Sequence, residues 1–549
     1  MKKLKILVIA LCAAMIGFVF AGCPKKEEAI TDDTLQIAVI ARGFGSEHIR
    51  ELAREFRAKT GIDARVVVAT PNDEFVLSSL KLGLKRNKVD LYVANHTENF
   101  KLLVQRGNVV EGSDPCWADL SEVYKSPAEG YIELEQNPEL LIGDIIAEKT
   151  LRNITWTDGK QYSVPFSMGM MGLLYNKTLF DKTNDALRAN KQAELVLPKT
   201  SSQMFKLFGR ITALRNGSTP AAYRTNAYAY GFAGQGDYSS TIVFPWWAQY
   251  DGMDAVNNFM QGKDADGNYT PEIFKSTGRL RALENAAKLF GEGFYDTNDM
   301  SKVFTKAQLD FLMGRSFFAL NGTWLENEAS ENFTPGTADI AFMPVPVISD
   351  IVEKFPADFT GTEAANDEKL SAVIDYLDGV AGATDQGVSA DTLNFLREAR
   401  KIRHQDQSEN YLMFVPQYSR HVQEAKSFFR FMYSKEGQEV MMYANYGNMC
   451  PINVDYSQFD FYNGIERNGN KITVMGKTKI DLFDGATLFG PESLATPICY
   501  LTPFNAYRFD GRSLSGAFTG NVKAKDICDN DYTYYKNTWS ELMKAIGQA

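Results

Sequence analysis

Histidine is scarce in this chain: there are four among 549 residues, His48, His96, His404 and His421. They are scattered, with no HExxH pair and no cysteine nearby, so no metal site is expected. The six cysteines form no CxxC, which removes zinc-ribbon and thioredoxin-like chemistry. There is no GxxxxGK[ST] phosphate loop. Gly43-Phe44-Gly45 lacks the third glycine of a dinucleotide loop and reads as a strand-to-helix turn. GRSLSG at 511–516 misses a serine-hydrolase elbow by one residue and follows no strand pattern. DADGN at 264–268 alternates three oxygen side chains, but its glycine stands fourth in the loop instead of sixth. Lys275 also occupies the position that needs a bidentate Glu, so a hairpin turn is the better account than calcium. Nor is there a run of Lys or Arg to neutralise phosphates; 58 basic against 68 acidic residues leave a net charge of -10, which argues against a nucleic-acid partner. No catalytic constellation emerges, so neither an enzyme nor a cofactor is expected.

What is present is a globular composition, 44% hydrophobic, 23% charged and 12% aromatic, long enough for several domains or two large ones. At the N-terminus Lys2, Lys3 and Lys5 precede the apolar run ILVIALCAAMIGFVF, and Phe20-Ala21-Gly22-Cys23 follows. This resembles a bacterial lipoprotein signal and lipobox, with Phe20 in place of the usual Leu. The resemblance implies cleavage before Cys23 and lipidation of its thiol; an uncleaved helix and simple secretion are the alternatives. Residues 1–22 are then the signal and 23–33 a polar tether. No later segment offers 18 uninterrupted apolar residues. Cys116, Cys450, Cys499 and Cys528 are left to form two disulfides or to stay as free buried thiols.

Strand and helix patterns alternate from residue 34. TLQIAVIA is followed by a helix between Ser46 and Gly61, then the strand IDARVVVA, a helix at 73–86 and the strand VDLYVAN. That rhythm predicts a parallel α/β sheet with ligands beyond the carboxyl ends of its strands, near Arg42 and Asn95. TWTDGKQYSVPF reads as a hairpin turning at Asp158-Gly159, and SFFALNG as a later strand. Residues 349–410 and the tail after 455 carry no clear pattern beyond a helix at 389–403.

Several of these segments, in order, resemble the ABC-importer extracellular solute-binding proteins of the maltodextrin-binding-like type. They are the opening strand and helix, VDLYVAN, SVPFSMGMMGLLYNKTLF, the helix-glycine-strand run from Gln308 to Asn321-Gly322-Thr323-Trp324, TADIAFMPVPV, and the late strand and helix pair ending at Tyr446-Gly447. The resemblance implies an α/β fold of two lobes joined by a hinge that closes on a solute. The first lobe is expected to comprise 34–165 with 346–445, and the second 166–345 with 446–549. It also implies a sugar or oligosaccharide ligand, ABC permease partners, an envelope location with the membrane reached through Cys23, and a monomer. A peptide, a polyamine or another polar solute is the alternative ligand, and a surface glycan-active enzyme the alternative activity.

Sugars offer CH faces to aromatic rings and hydroxyl edges to planar polar groups. On that chemistry the candidate ligand-binding residues are Arg42 and Asn95 at strand ends, Ser167 and Met168 at the first crossing, and Asp237. Trp246 or Trp247 is expected to stack on a ring while its neighbour is core. Asn321, Gly322 and Trp324, together with Tyr446 and Gly447 near the third crossing, complete the set.

Overall fold

The computed structural model describes residues 30–41, 43–70, 86–94, 117–156, 158–167, 169–235, 238–405, 411–489, 513–545 and 548. Its strands are β1 (Leu35–Ile40), β2 (Ala64–Thr70), β3 (Leu91–Ala94), β4 (Val164–Pro165), β5 (Met170–Asn176), β6 (Tyr228–Gly231), β7 (Ser316–Gly322), β8 (Ile340–Met343), β9 (Ile402–Gln405), β10 (Leu412–Phe414) and β11 (Thr487–Phe489). They form two mixed sheets flanked by helices, one ordered β2-β1-β3-β10-β4 and the other β11-β9-β5-β7-β6, with β8 also paired to β5. The fold is the two-lobed α/β arrangement that the alternating pattern and the family resemblance imply.

The first sheet starts as expected. β1 pairs parallel with β2 and β3, and Leu35, Ile37, Val39 and Ile40 are all buried, the signature of a strand covered on both faces. The helix Glu47–Thr60 lays Ile49, Leu52, Ala53 and Phe56 on that sheet and ends at Gly61, whose φ of 75° suits a left-handed cap. Ser46 stands at its start without making a side-chain cap. β10 then runs antiparallel between β3 and β4, making the sheet mixed. The predicted hairpin turns at Gly159, where Trp156 N–H donates to the Lys160 carbonyl. DADGN closes a second hairpin, with Asp264 N–H donating to the Asn268 carbonyl. Ser513 caps the helix Leu514–Thr519, so the described part of GRSLSG, residues 513–516, is a helix start.

The lobe boundaries differ from those expected. Val347, Ile348, Ile351, Leu370, Val373, Leu396 and Ile402 pack in the second core with Trp246 and Phe318, so 346–405 belongs with the second sheet. The polar surface of the helices Glu363–Leu377 and Ala390–Lys401 had hidden their apolar faces. The tail is divided. Met449, Cys450, Ile452, Phe459 and Phe461 lie in the first core, whereas Phe518, Ile527 and Tyr535 lie in the second. β8 lies in the second sheet, and the chain returns to the first sheet not at 346, as expected, but between β9 and β10. Cys450 and Cys528 are buried free thiols, while Cys116 and Cys499 lie outside the described residues.

Candidate functional site

The chain passes between the lobes at 166–169, between β9 and β10, and through the helix Val474–Phe483 that leads to β11. Where the lobes meet, two glycine-bearing turns approach each other. In the first lobe, the turn after β1 has Gly45 at φ 64°, and a Cβ added to Gly43 would lie 3.1 Å from the Trp324 Cβ. In the second lobe, β7 ends at Gly322, where an added Cβ would sit 2.3 Å from Trp324 Cη2. Only glycine there lets the indole fold back over its own strand. Asn327 ties the turns together by donating its amide to the Gly43 carbonyl at 2.6 Å.

Trp324 thereby enters a cluster of rings from both lobes. Its centroid lies 6.1 Å from Phe44 at 84°, 6.4 Å from Tyr411 and 6.5 Å from Tyr238. Phe44 and Tyr411 are themselves edge to face at 5.0 Å. Such geometries are the favourable ones for aromatic quadrupoles. Tyr411 has a φ of 67°, and its ring lies where a side chain at Gly169 would stand. Trp324 is only 6% exposed, so the lobes are together around it.

Polar groups brace this cluster. Asn445 donates to the Phe44 carbonyl at 2.8 Å and faces His48 Nδ1 at 3.1 Å. With Nδ1 accepting, the His48 proton sits on Nε2, which has no partner among the described residues. Ser167 donates to Asn448 Oδ1 at 2.7 Å, bolting the first crossing to the segment after Gly447. On the other side, Glu328 accepts from Gln308 at 2.6 Å, and Glu326 accepts from Thr473 at 3.0 Å. Burial raises both carboxyls, Glu326 to about 7.

Burial holds the His48 imidazole down to about 3. The unfolded chain takes up a proton on this residue near pH 6.5 and the folded chain only near 3, so its contribution to stability is complete above 6.5 and is lost as pH falls toward 3. The loss is no more than about 5 kcal/mol for a shift of this size. In His48→Gln, which offers Asn445 an acceptor that does not titrate, urea midpoints between pH 4 and 7 are expected to fall less steeply. A slope equal to that of the unsubstituted protein would refute this.

The structure brings together only part of the predicted set. Asn321, Gly322 and Trp324 lie at the lobe junction, with Asn321 Oδ1 accepting from the Gly322 N–H at 2.7 Å. Ser167 lies there too. Tyr446, in the left-handed region at φ 47°, and Gly447, at φ 82°, stand beside the helix Val474–Phe483. Arg42, Asn95, Met168, Asp237 and Cys23 lie outside the described residues. Trp246 and Trp247 require a correction. Both are buried in the second core, where Trp246 Nε1 donates to the Pro346 carbonyl at 2.9 Å and Trp247 Nε1 to Asp251 at 2.8 Å. With ring and N–H both satisfied inside one lobe, neither presents an open ring face in this structure. Phe44, Tyr238, Tyr411, Asn327, His48 and Asn445 were missed, although Phe44 stands inside the glycine turn that the sequence marks out.

Among the described residues no group of three or more His, Cys, Asp or Glu is placed to hold a metal ion, and no helix is long and apolar enough to cross a membrane.

No curated relative matches the chain. Solved structures with the same fold include a protein of xylan utilisation by the thermophilic bacterium Caldanaerobius polysaccharolyticus (TM-score 0.53, 12% identity, covering 91% of this chain and 99% of that one). A chitin oligosaccharide binding protein is similar at TM-score 0.51 and 12% identity, covering 92% and 98%. A probable secreted solute-binding lipoprotein from Streptomyces coelicolor matches at TM-score 0.52 and 12% identity, covering 93% and 100%. The profile of the bacterial extracellular solute-binding protein family matches residues 51–463, and the chain belongs to that family.

Proposed function

We propose that this protein captures a sugar or oligosaccharide between its lobes, outside the cytoplasm, and delivers it to the permease of an ABC importer, held at the membrane by a lipid on Cys23. The observation that carries the reading is the Trp324 indole, framed by Phe44, Tyr411 and Tyr238 at the meeting of two lobes that belong to a solute-binding family. An indole face suits the CH face of a pyranose, and the Asn321 and Asn327 amides beside it suit paired hydroxyls. Relatives of the same fold bind chitin oligosaccharides and take part in xylan utilisation, which supports the sugar class. The ligand stabilises closure only through contacts made to both lobes at once, so its differential affinity for the closed form drives the motion.

One observation favours a second ligand class. The carboxyls of Glu326, which is buried, and Glu328, which is half-buried, lie two and four residues after Trp324, and carboxyls with aromatics also suit a polyamine. The test covers both classes. The chain beginning at residue 24 is purified, and its melting temperature is read against a panel of mono- and oligosaccharides and against spermidine and putrescine. Mass spectrometry of co-purified small molecules accompanies the panel. A rise with a saccharide, which is recovered chemically intact, is the expected result. A rise with polyamines alone would replace the ligand class, and a cleaved saccharide would overturn the reading as a binding protein.

A further inference from the structure

The helix Val474–Phe483 belongs to the tail whose pattern the sequence left unread, and its two sides serve different lobes. Met475 packs with Leu174, Leu325 and Phe342 of the second lobe. Ile480 and Phe483 belong to the first core. Before its first turn, Thr473 accepts from the Gly476 N–H at 2.9 Å and donates to Glu326 Oε2 at 3.0 Å. One turn further on, Thr478 Oγ1 accepts the Phe342 N–H at 3.0 Å. Among the described residues β8 is paired only to β5, and Phe342 lies on it, so this bond caps a strand edge that has no other described strand beside it. On the first-lobe side the helix meets the Tyr446-Gly447 turn at a glycine seam; this turn was expected at the third crossing, but the chain stays in the first core on both sides of it. The Gly476 Cα lies 3.6 Å from where a Cβ on Gly447 would stand, and Lys479 Cε lies 3.4 Å from the same point.

Charge is buried on this helix as well. Lys479 is 1% exposed and Glu326 is 5% exposed, and each is the other's principal charged neighbour. Burial pushes the lysine down and the glutamate up, each toward its uncharged form, while their mutual attraction opposes both shifts. A pair of this kind is held in place by the packing around it and is exposed to water once that packing parts.

We propose that the helix Val474–Phe483 is a strap that fixes the closed position of the lobes, so that opening must part it from one of them and expose Glu326 and Lys479. The strap sets the fraction of unliganded protein that is open, and with it the apparent affinity for any ligand that needs the closed form. The inference rests on the reading that the lobes open and close around a solute. Its first test needs no ligand.

Thr473→Val with Thr478→Val removes both hydroxyl ties to the second lobe, and Ile480→Ala loosens the first-lobe side. Small-angle X-ray scattering of the unliganded chain beginning at residue 24 is expected to give a larger radius of gyration for either variant than for the unsubstituted protein. A saccharide found to bind is expected to do so about tenfold more weakly. Far- and near-ultraviolet circular dichroism identifies which variants remain folded; one folded variant suffices, and the threonine pair, which removes no core volume, is chosen for that purpose. An unchanged radius in a folded variant overturns the strap. A larger radius with no saccharide binding at all keeps the strap and overturns the sugar reading instead.

Discussion

Asp531→Asn is expected to destabilise the second lobe by about 3–5 kcal/mol, read as a lower urea midpoint. Asp531 and Arg279 are both fully buried and form an ion pair. The Arg279 guanidinium also donates through Nη1 to the Phe274 carbonyl at 3.2 Å and lies over the Phe274 ring, which stacks on Tyr535 at 4.2 Å and 11°. This cluster joins the helix Thr277–Lys288 to the long C-terminal helix Ala524–Ala545. Neutralising the carboxylate leaves a guanidinium that cannot shed its proton in a place that water does not reach. The double variant Arg279→Met with Asp531→Leu removes both charges and fills similar volume, so it is expected to recover most of the loss. A single variant within 1 kcal/mol of the unsubstituted protein, or a double variant no better than the single, would refute the argument. Lobes that unfold in separate transitions would place the shift in one of them.

The same pair shows why the tail was hard to read. Asp531 stands in a helix whose sequence, DICDNDYTYYKNTW, alternates aromatics with charges and gives no obvious apolar face. The face becomes visible only when Asp531 is counted as buried by virtue of its partner 252 residues away. Residues 346–405 pose a related problem. Leu370, Val373, Ile374 and Leu396 are at helical spacing, but nothing local says which sheet they cover, and that choice fixes the lobe boundary. By contrast β1, the helix after it and β7 were legible, because a doubly buried strand and an amphipathic helix carry their environment in their own periodicity.

The candidate site divides along the same line. The pairing of Gly322 with Trp324 at the lobe junction was legible because a glycine two residues before a tryptophan at a strand end is a local signal, and its physical cause is the indole lying on the glycine. Trp246 and Trp247 misled for a related reason. Aromatic residue type is visible in the sequence, whereas the satisfaction of an indole N–H by Pro346, 100 residues on, is not. Tyr411 and Tyr238 come from segments far from Trp324 along the chain, and only the fold places their rings around it.

Trp324→Ala is expected to weaken saccharide binding by at least about tenfold to a hundredfold, as titration calorimetry would read it, since that spans the 1.4–2.8 kcal/mol that a stacking face and its excluded water supply. The substitution also removes a ring that is 6% exposed, so some stability is lost with it; large-to-small changes at buried aromatics cost about 3–5 kcal/mol when both lobes hold the ring. Trp324→Phe separates the two effects. A phenyl ring keeps an aromatic face over Gly322 and edge contacts to Phe44 and Tyr411, so stability is expected to return nearly to its original level while affinity recovers only in part, the smaller face covering less of a pyranose. Five tryptophans remain in either variant, all but Trp324 of the original six. If this indole is the one that meets the ligand, the fluorescence change on saccharide addition is lost although most of the emission persists. Full affinity in a folded Trp324→Ala protein, or an undiminished fluorescence response, would remove Trp324 from the site and leave the ring cluster as packing between lobes.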